Sequence, residues 1–531
     1  MSSQATRSSV LAETAWSERR LYALAKRVGT PTTHDNFTLP VTAPAYGEEI
    51  AAIPELTAAE VDEAVEQSRT AAQSWREYSV SERAAVLDTF ADLVADHQEE
   101  LMDLIQLETG KSRIHALEET IDVPQNAAYY ADRGPEILAT DTRQSGIPLL
   151  TSAEVQFDPV GVVGIISPWN YPLVLSFADA IPALLAGNGV VLKPDEKTPF
   201  TALRLAELLE EAGLPEGVLT VVTGDGPTVG SALIERIDYL TFTGSSETGR
   251  IVAEQAGRNL IDCSLELSGK NPMVILEDAK IETAVRGAIQ GSFTNAGQVC
   301  LASERIYVAG PIYEEFLERF VEATEALTLG AEFGFGATVG SLIDADQLDR
   351  VRSHVSDAVE SGATIQAGGS ARPDIGPYFF EPTILTNVPA DSLPACEETF
   401  GPVAVVEPVE SVEEAIEKAN DSDHGLNASV WSSDRERAKE VARQIQSGTV
   451  CINDPFLVGW ASYDAPMGGV KESGIGRRHG PEGLTRYTEP KTIATSRVGP
   501  LTAMPGVPDR LFARGFSAFA NTMRRLKRLS R

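Results

Sequence analysis

Five short segments of this sequence carry residues able to do chemistry, four of them at strand ends or helix starts. SPWNYP (Ser167 to Pro172) follows the β-rich run VGVVGII. Ligands of open α/β sheets bind at the carboxyl ends of strands, so Trp169 and Asn170 stand where chemistry is expected. An asparagine amide there can donate a hydrogen bond to a developing oxyanion. Pro and Asn also simply make turns. LKPDEKTP (Leu192 to Pro199) is a second strand end, where Lys193 and Glu196 can reach ribose hydroxyls and a lone carboxylate repels a 2′-phosphate. Without context it is a charged loop opening a helix. FTGSSETG (Phe242 to Gly249) runs from a strand through a Gly-Ser turn into a helix, whose N–H groups and dipole favour a pyrophosphate. GDGPTVG (Gly224 to Gly230) has its last glycine one residue late for the G-x-G-x-x-G fingerprint and is not counted as one. LELSGKNP places Glu266 at the end of a fifth strand, and FTNAGQVCLASER places Cys300 after Gly297 and Gln298. A lone cysteine is most often a small buried residue, and a lone glutamate at a strand end is most often solvated.

The elements that must position these residues follow from periodicity. From about Thr57 to Arg133, AAEVDEAVEQSRTAAQSW and ERAAVLDTFADLVADHQEELMDLI place apolar residues at helical intervals. The rhythm then changes. Val160–Ile166, Val190–Lys193, Val218–Val222, Tyr239–Phe242 and Cys263–Leu267 read as short strands, alternating with helices such as Leu173–Gly187. Five such strands imply right-handed crossovers and a doubly wound parallel sheet. A second alternating region begins with Pro272–Glu277 and runs to about Asn453. EVQFDPVG and LTRYTEPKTIA alternate like exposed strands, and could pair as an arm that docks on another subunit.

The 531 residues carry 44 cations against 77 acids, a net charge of −33, and only 11 of the cations are lysines. The acids are spread along the chain, the reverse of what displacing phosphate counterions requires, so a nucleic-acid partner is excluded. A spread excess of acids suits a salty cytoplasm, where salt screens self-repulsion; an ordinary acidic enzyme is the plainer alternative. Four cysteines without a C-x-x-C pair and scattered histidines give no disulfide framework and no metal site. No secretory apolar segment and no membrane-spanning run is read, so a cytoplasmic location is expected. From Val507 to Arg531 there are seven cations and one acid, which leaves −39 for the rest of the chain. Phe512, Phe516, Phe519, Met523 and Leu526 form one stripe of a helix, with Arg524, Arg525, Lys527 and Arg528 on its polar side. Such a helix can lie on an anionic membrane or dock on the acidic body of its own oligomer.

VVGIISPWNYP, LKPDEKTP, FTGSSETG, LELSGKNP, GQVC, EETFGP (Glu397 to Pro402) and APMGGVKESGIGR (Ala465 to Arg477) together resemble the aldehyde dehydrogenase superfamily, in the right order, over roughly Ile50 to Ala494. GRRHGPEGLTRYTEPKTIA, ARPDIGPYFFEPTILTNV and the basic C-terminal extension look like a succinate-semialdehyde dehydrogenase branch, with a halophilic archaeon as the expected source. The resemblance implies an α/β fold: a Rossmann-like parallel-sheet cofactor domain (50–140 and 160–267), a second α/β catalytic domain (268–464) and a β oligomerisation arm (141–159 and 465–500). An N-terminal extension (1–49) and a basic amphipathic C-terminal extension (501–531) flank these. A homodimer or homotetramer is implied.

The resemblance also implies roles. Cys300 matches the nucleophile that attacks the aldehyde. Asn170 and the Cys300 N–H match the oxyanion site, and Glu266 the base that hydrolyses the thioester, which CoA-acylating members lack. Ser167, Pro168, Trp169, Asn170, Lys193, Pro194, Asp195, Glu196, Gly244, Ser245, Ser246, Gly249, Leu267, Glu398 and Phe400 match the neighbourhood of a nicotinamide dinucleotide. Glu196 beside Asp195 disfavours a 2′-phosphate, so NAD is expected over NADP, although Lys197 partly offsets this. Trp460, Ser462 and Tyr463 are expected to line the substrate entry, the aromatics suiting an apolar or fatty aldehyde and Ser462 a polar group. The positions where some succinate-semialdehyde enzymes carry arginines hold Ala178 and Thr294. A catalytically retired binding or structural member would have lost Cys300, Glu266 or Asn170; all three are present.

Overall fold

The computed structural model describes residues 10–30, 37–147, 149–503 and 505–529. Two sheets dominate it. In the first, Asp262–Glu266, Tyr239–Thr243, Val162–Ile166, Gly189–Lys193 and Leu219–Val221 lie side by side in that order, all parallel. Their residues are almost all buried, because helices cover both faces and the strands read as unbroken apolar runs. The chain starts at the central strand Val162–Ile166, winds outward one way, then returns to pair Tyr239–Thr243 on its other side. That reversal places SPWNYP at a topological switch point, where open α/β sheets bind ligands. Gly474–Ile475 adds a sixth, antiparallel strand beside Asp262–Glu266. Two residues carry no periodicity, so no local pattern marks this strand.

The second sheet has seven strands, in the order Thr364–Ala367, Thr383–Thr386, Val403–Val409, Ser303–Ala309, Asn271–Ile275, Asn427–Trp431, Thr449–Ile452. Only its first edge strand is antiparallel. The segments expected to pair do so: Thr151–Pro159 runs antiparallel to Thr488–Ser496 over nine residue pairs, and Asp141–Arg143 adds a third strand. The second partner begins later than its sequence suggested, because Gly480–Thr485 is a helix.

The helical region holds four helices, Ala58–Arg76, Val80–Asp96, Gln98–Thr109 and Arg113–Ile137. Capping boxes start the first two, Thr57 with Glu60 and Ser79 with Glu82. The run read as one helix over 82–105 is broken at His97. Both halves keep one apolar face on the core, so periodicity alone passes across the break.

The expected N-terminal extension is not a simple appendage. Trp16, Leu21, Leu24 and Val28 belong to the same core as the first sheet, and the hairpin of Phe37–Ala43 with Glu48–Pro54 crosses the limit expected at residue 49. Residues 1–9 and 31–36 of that extension lie outside the described residues. The basic tail forms the expected helix, Asp509–Leu529, with Phe512, Phe516, Phe519 and Met523 half-buried and their flanking residues exposed. Among the described residues no helix is long and apolar enough to cross a membrane.

Candidate active site

Cys300 enters the site on an unusual backbone. Asn295, Ala296 and Gly297 take φ values of +52°, +54° and +73° in succession. Two of these are non-glycine residues in the left-handed region, which costs energy that surrounding contacts must hold. The contacts are visible. Asn295 Nδ2 donates to Asn170 O (3.0 Å) and to Gln298 O (3.2 Å), and Gln298 is buried and donates to Asn295 O and Ser341 O. A Cβ on Gly297 would lie 2.0 Å from Gly401 O, so only glycine fits. Beneath the Cys300 side chain, Asn271 Nδ2 donates to Cys300 O at 2.8 Å.

Asn170 follows the first strand directly and is buried. Its Nδ2 donates to Gln298 O (3.0 Å), leaving one N–H of the amide for another acceptor. Its carbonyl accepts from Lys111 Nζ (2.8 Å). Lys111 in turn pairs with buried Glu119, whose carboxylate accepts the N–H groups of Leu173 and Val174 at the start of helix Pro172–Leu185. Ser167 Oγ pairs with Ser176 Oγ. The PWN turn is thus held from both sides.

Two cavities meet at this point. The larger, about 510 Å³, is walled by Pro168, Trp169, Thr243, Gly244, Ser245, Ser246, Glu266, Leu267, Glu398 and Phe400. The smaller, about 80 Å³, is walled by Glu118, Glu119, Asp122, Tyr171, Val174, Val299, Leu301, Phe456, Leu457 and Trp460. Cys300, Asn170 and Leu175 belong to both.

In the larger cavity, Ser245 caps helix Ser246–Asn259 by accepting from Thr248 N–H. Gly249 packs under Leu267, where a Cβ would lie 2.4 Å from the leucine Cδ2. Trp169 stands edge-on to Phe400 at 5.5 Å. Glu398 accepts from Gly269 N–H at 2.9 Å, and burial pushes its carboxyl up to about 7. Burial pushes Glu266 up to about 7 as well, against the pull of Arg478 and Arg486, and its Oε2 has no hydrogen-bond partner. Burial, with Glu398 and Glu266 nearby, pushes the Cys300 thiol up to about 12. A helix N-terminus for phosphates, a carboxylate for ribose hydroxyls and room beside the nucleophile fit a nicotinamide dinucleotide.

Some expected residues stand apart. Lys193, Pro194, Asp195 and Glu196 are not in the walls of the 510 Å³ cavity. They lie at the end of the neighbouring strand, with Lys193 Nζ 3.7 Å from Glu196 and Lys197 Nζ 3.7 Å from both Asp195 and Asp344. Trp460 walls the smaller cavity, but Ser462 and Tyr463 do not. Ser462 donates its hydroxyl to Val458 O at 2.7 Å, closing a turn of its own loop. Tyr463 acts through a neighbour: its hydroxyl (2.6 Å) and the Trp460 indole N–H (2.7 Å) both donate to Asp122 Oδ1. Glu118, Glu119 and Asp122 were missed by sequence reasoning. They sit on a helix some fifty residues before the PWN turn, and only the fold brings them there. Ala178 is buried and lines neither cavity, and no lysine or arginine lines the smaller one. Among the described residues no cluster of three His, Cys, Asp or Glu could hold a metal.

Known proteins are similar to this chain. A Mycolicibacterium smegmatis protein named "Putative succinate-semialdehyde dehydrogenase (NADP(+))" is 48% identical over 480 residues, 90% of this chain and 93% of that one. Phenylacetaldehyde dehydrogenase of Pseudomonas fluorescens is 37% identical over 465 residues, covering 86% and 92%. The solved NAD+ complex of aldehyde dehydrogenase from Bacillus cereus superposes with a TM-score of 0.83 at 38% identity, covering 86% and 93%. The family model for the aldehyde dehydrogenase family matches residues 32–493, and the chain belongs to that family.

Proposed function

We propose that the chain oxidises an aldehyde to a carboxylic acid with a nicotinamide dinucleotide, by a covalent route through Cys300. The observation that carries this is that Cys300 and Asn170 wall both cavities, one of aldehyde size and one large enough for a cofactor. Cys300 Sγ attacks the carbonyl carbon as the thiolate, its proton, held firmly because burial pushes the thiol up to about 12, passing to solvent water. The free Asn170 amide N–H and the Cys300 N–H receive the oxyanion. A bound nicotinamide dinucleotide supplies the hydride acceptor. Glu266 takes a proton from water, whose oxygen attacks the Cys300 thioester; the acid departs and the thiol is restored. Ser245, Ser246 and Gly249 would hold the pyrophosphate, and Glu398 the ribose beside the nicotinamide.

Succinate semialdehyde is the proposed substrate, supported by 48% identity to the mycolicibacterial relative with that name. A second reading, an apolar aldehyde, is favoured by the walls of the smaller cavity, which carry Val174, Leu175, Val299, Leu301 and Phe456 and no cation to hold a carboxylate. NAD is proposed over NADP, because Asp195 and Glu196 stand together at the second strand end; the mycolicibacterial name carries NADP(+) and the Bacillus cereus structure holds NAD+. The proposed assembly is a homodimer or homotetramer joined through the Thr151–Pro159 and Thr488–Ser496 arm, in a salty cytoplasm. A steady-state scan of aldehydes with both cofactors in molar KCl tests these points. Preference for succinate semialdehyde over alkanals of equal length supports the first substrate; the reverse order overturns it. Oxidation of no aldehyde overturns the proposed activity.

A further inference from the structure

Behind Glu266 lies a buried charge cluster that the reaction above does not use. Asp179, on the helix that follows the PWN turn, is wholly buried between two guanidinium groups. Arg478 Nη2 donates to Asp179 Oδ2 (2.8 Å) and to Thr243 Oγ1 (3.2 Å), and Arg486 Nη2 donates to Asp179 Oδ1 and to the Tyr487 hydroxyl (2.6 Å). Two guanidinium groups share one buried carboxylate, which leaves the buried Arg478 as positive charge in excess of its partner. Buried charge is stable only when compensated. The Nε of Arg478 and the Oε2 of Glu266 are both buried and both without a hydrogen-bond partner. Thr243, which Arg478 touches, shares a cavity wall with Glu266.

We propose that Arg478, anchored by Asp179, is a positioning residue that presents buried positive charge to Glu266 and so keeps it a carboxylate for the water-activating step. The inference rests on the hydrolytic role given to Glu266. The other groups facing this space fit the scheme. Arg486 also pulls the Glu266 carboxyl down, and Arg477 adds a smaller pull, while Asp179 opposes. Asp122 feels Arg478 but is turned toward Trp460 and Tyr463 by its hydrogen bonds. His479 is driven down to about 3 by burial and by Arg478, so it stays neutral and adds no charge. Tyr130, Tyr239 and Tyr487 are held as neutral phenols, their ionisation pushed up by burial.

The test reads hydrolysis apart from hydride transfer. An activated nitrophenyl ester acylates Cys300 without cofactor; the burst of nitrophenol reports acylation, and the steady rate that follows reports thioester hydrolysis. In Arg478→Met the acidic limb of the steady rate should move up by about one pH unit or more, with a loss of about tenfold at neutral pH, while the burst is unchanged. Arg478→Lys should return most of the rate. Asp179→Asn should move the limb the other way, because it exposes more positive charge to Glu266. A purely structural cluster would lower the melting temperature of both variants and move neither limb. Limbs that superpose on the parent in Arg478→Met and Asp179→Asn overturn the inference; if Arg478→Met does not fold, Asp179→Asn reads the same quantity. Glu266→Gln separates the two claims. If it hydrolyses as fast as the parent, the role of Glu266 itself fails; if it stalls while the Arg478 limb stays put, only the present inference fails.

Discussion

At the scale of single residues, the site opposes two demands. In the proposed reaction Cys300 attacks as an anion, yet burial and two neighbouring carboxyls push its thiol up to about 12. Such a thiol rests protonated, which protects it from oxidation and makes attack depend on a base. Cys300→Ala should therefore abolish aldehyde oxidation and leave cofactor binding intact, as measured by calorimetry; retained turnover would mean the nucleophile is another group. Asn170→Ala should lower kcat by about a hundred- to a thousandfold with little change in KM, since it removes a donor that matters most when the oxyanion forms. In the proposed hydrolysis Glu266 acts as the carboxylate, and burial pushes it up to about 7. The rate of thioester hydrolysis should accordingly fall as pH drops through about 7, with a slope set by one proton. An acidic limb that persists unmoved in Glu266→Gln would assign the titration elsewhere.

At the scale of elements, much was legible and some was not. The five parallel strands announced themselves because strands covered on both faces are continuous apolar runs. The break at His97, the two-residue strand Gly474–Ile475 and the acids of helix Arg113–Ile137 in the smaller cavity gave no comparable signal. Each depends on what lies opposite, which local periodicity does not record. The loop carrying Trp460 and Tyr463 is held down by Asp122 through two hydrogen bonds. Asp122→Ala should free that loop, raise KM for the aldehyde several-fold and lower stability by about 2 kcal/mol, read from denaturant unfolding. An unchanged KM would show that the loop does not shape the entry. The left-handed run before Cys300 rests on Gly297, so Gly297→Ala should disorder the nucleophile loop and reduce kcat at least tenfold while cofactor affinity changes little.

At the scale of the whole molecule, charge and assembly decide behaviour. A body at −39 repels itself in dilute buffer, so the melting temperature should rise steeply from dilute buffer to molar KCl. A flat or falling curve would remove the salty-cytoplasm reading. The helix Asp509–Leu529 is basic while the rest of the chain is acidic, and we propose that it docks on the acidic body of its own oligomer. With anionic vesicles, the full chain and a chain lacking Val507–Arg531 should both remain in the supernatant on sedimentation. Pelleting of the full chain alone would assign the helix to a membrane surface.

The sequence by itself determined the chemistry and its frame. Cys300, Glu266, Asn170 and Glu398 stand in short ordered motifs; those of Asn170 and Glu266 close strands, and a strand end is a local property that hydrophobic pattern and turn residues reveal. Only the tertiary structure decided what surrounds them: that Cys300 and Asn170 join two cavities, that Ser462 turns back on its own loop, that Asp122 rather than Tyr463 meets the smaller cavity, and that Arg478 and Asp179 meet behind the base. Those facts are contacts between residues tens to hundreds of positions apart. They are fixed by how helices and sheets pack, and no stretch of local sequence encodes that distance.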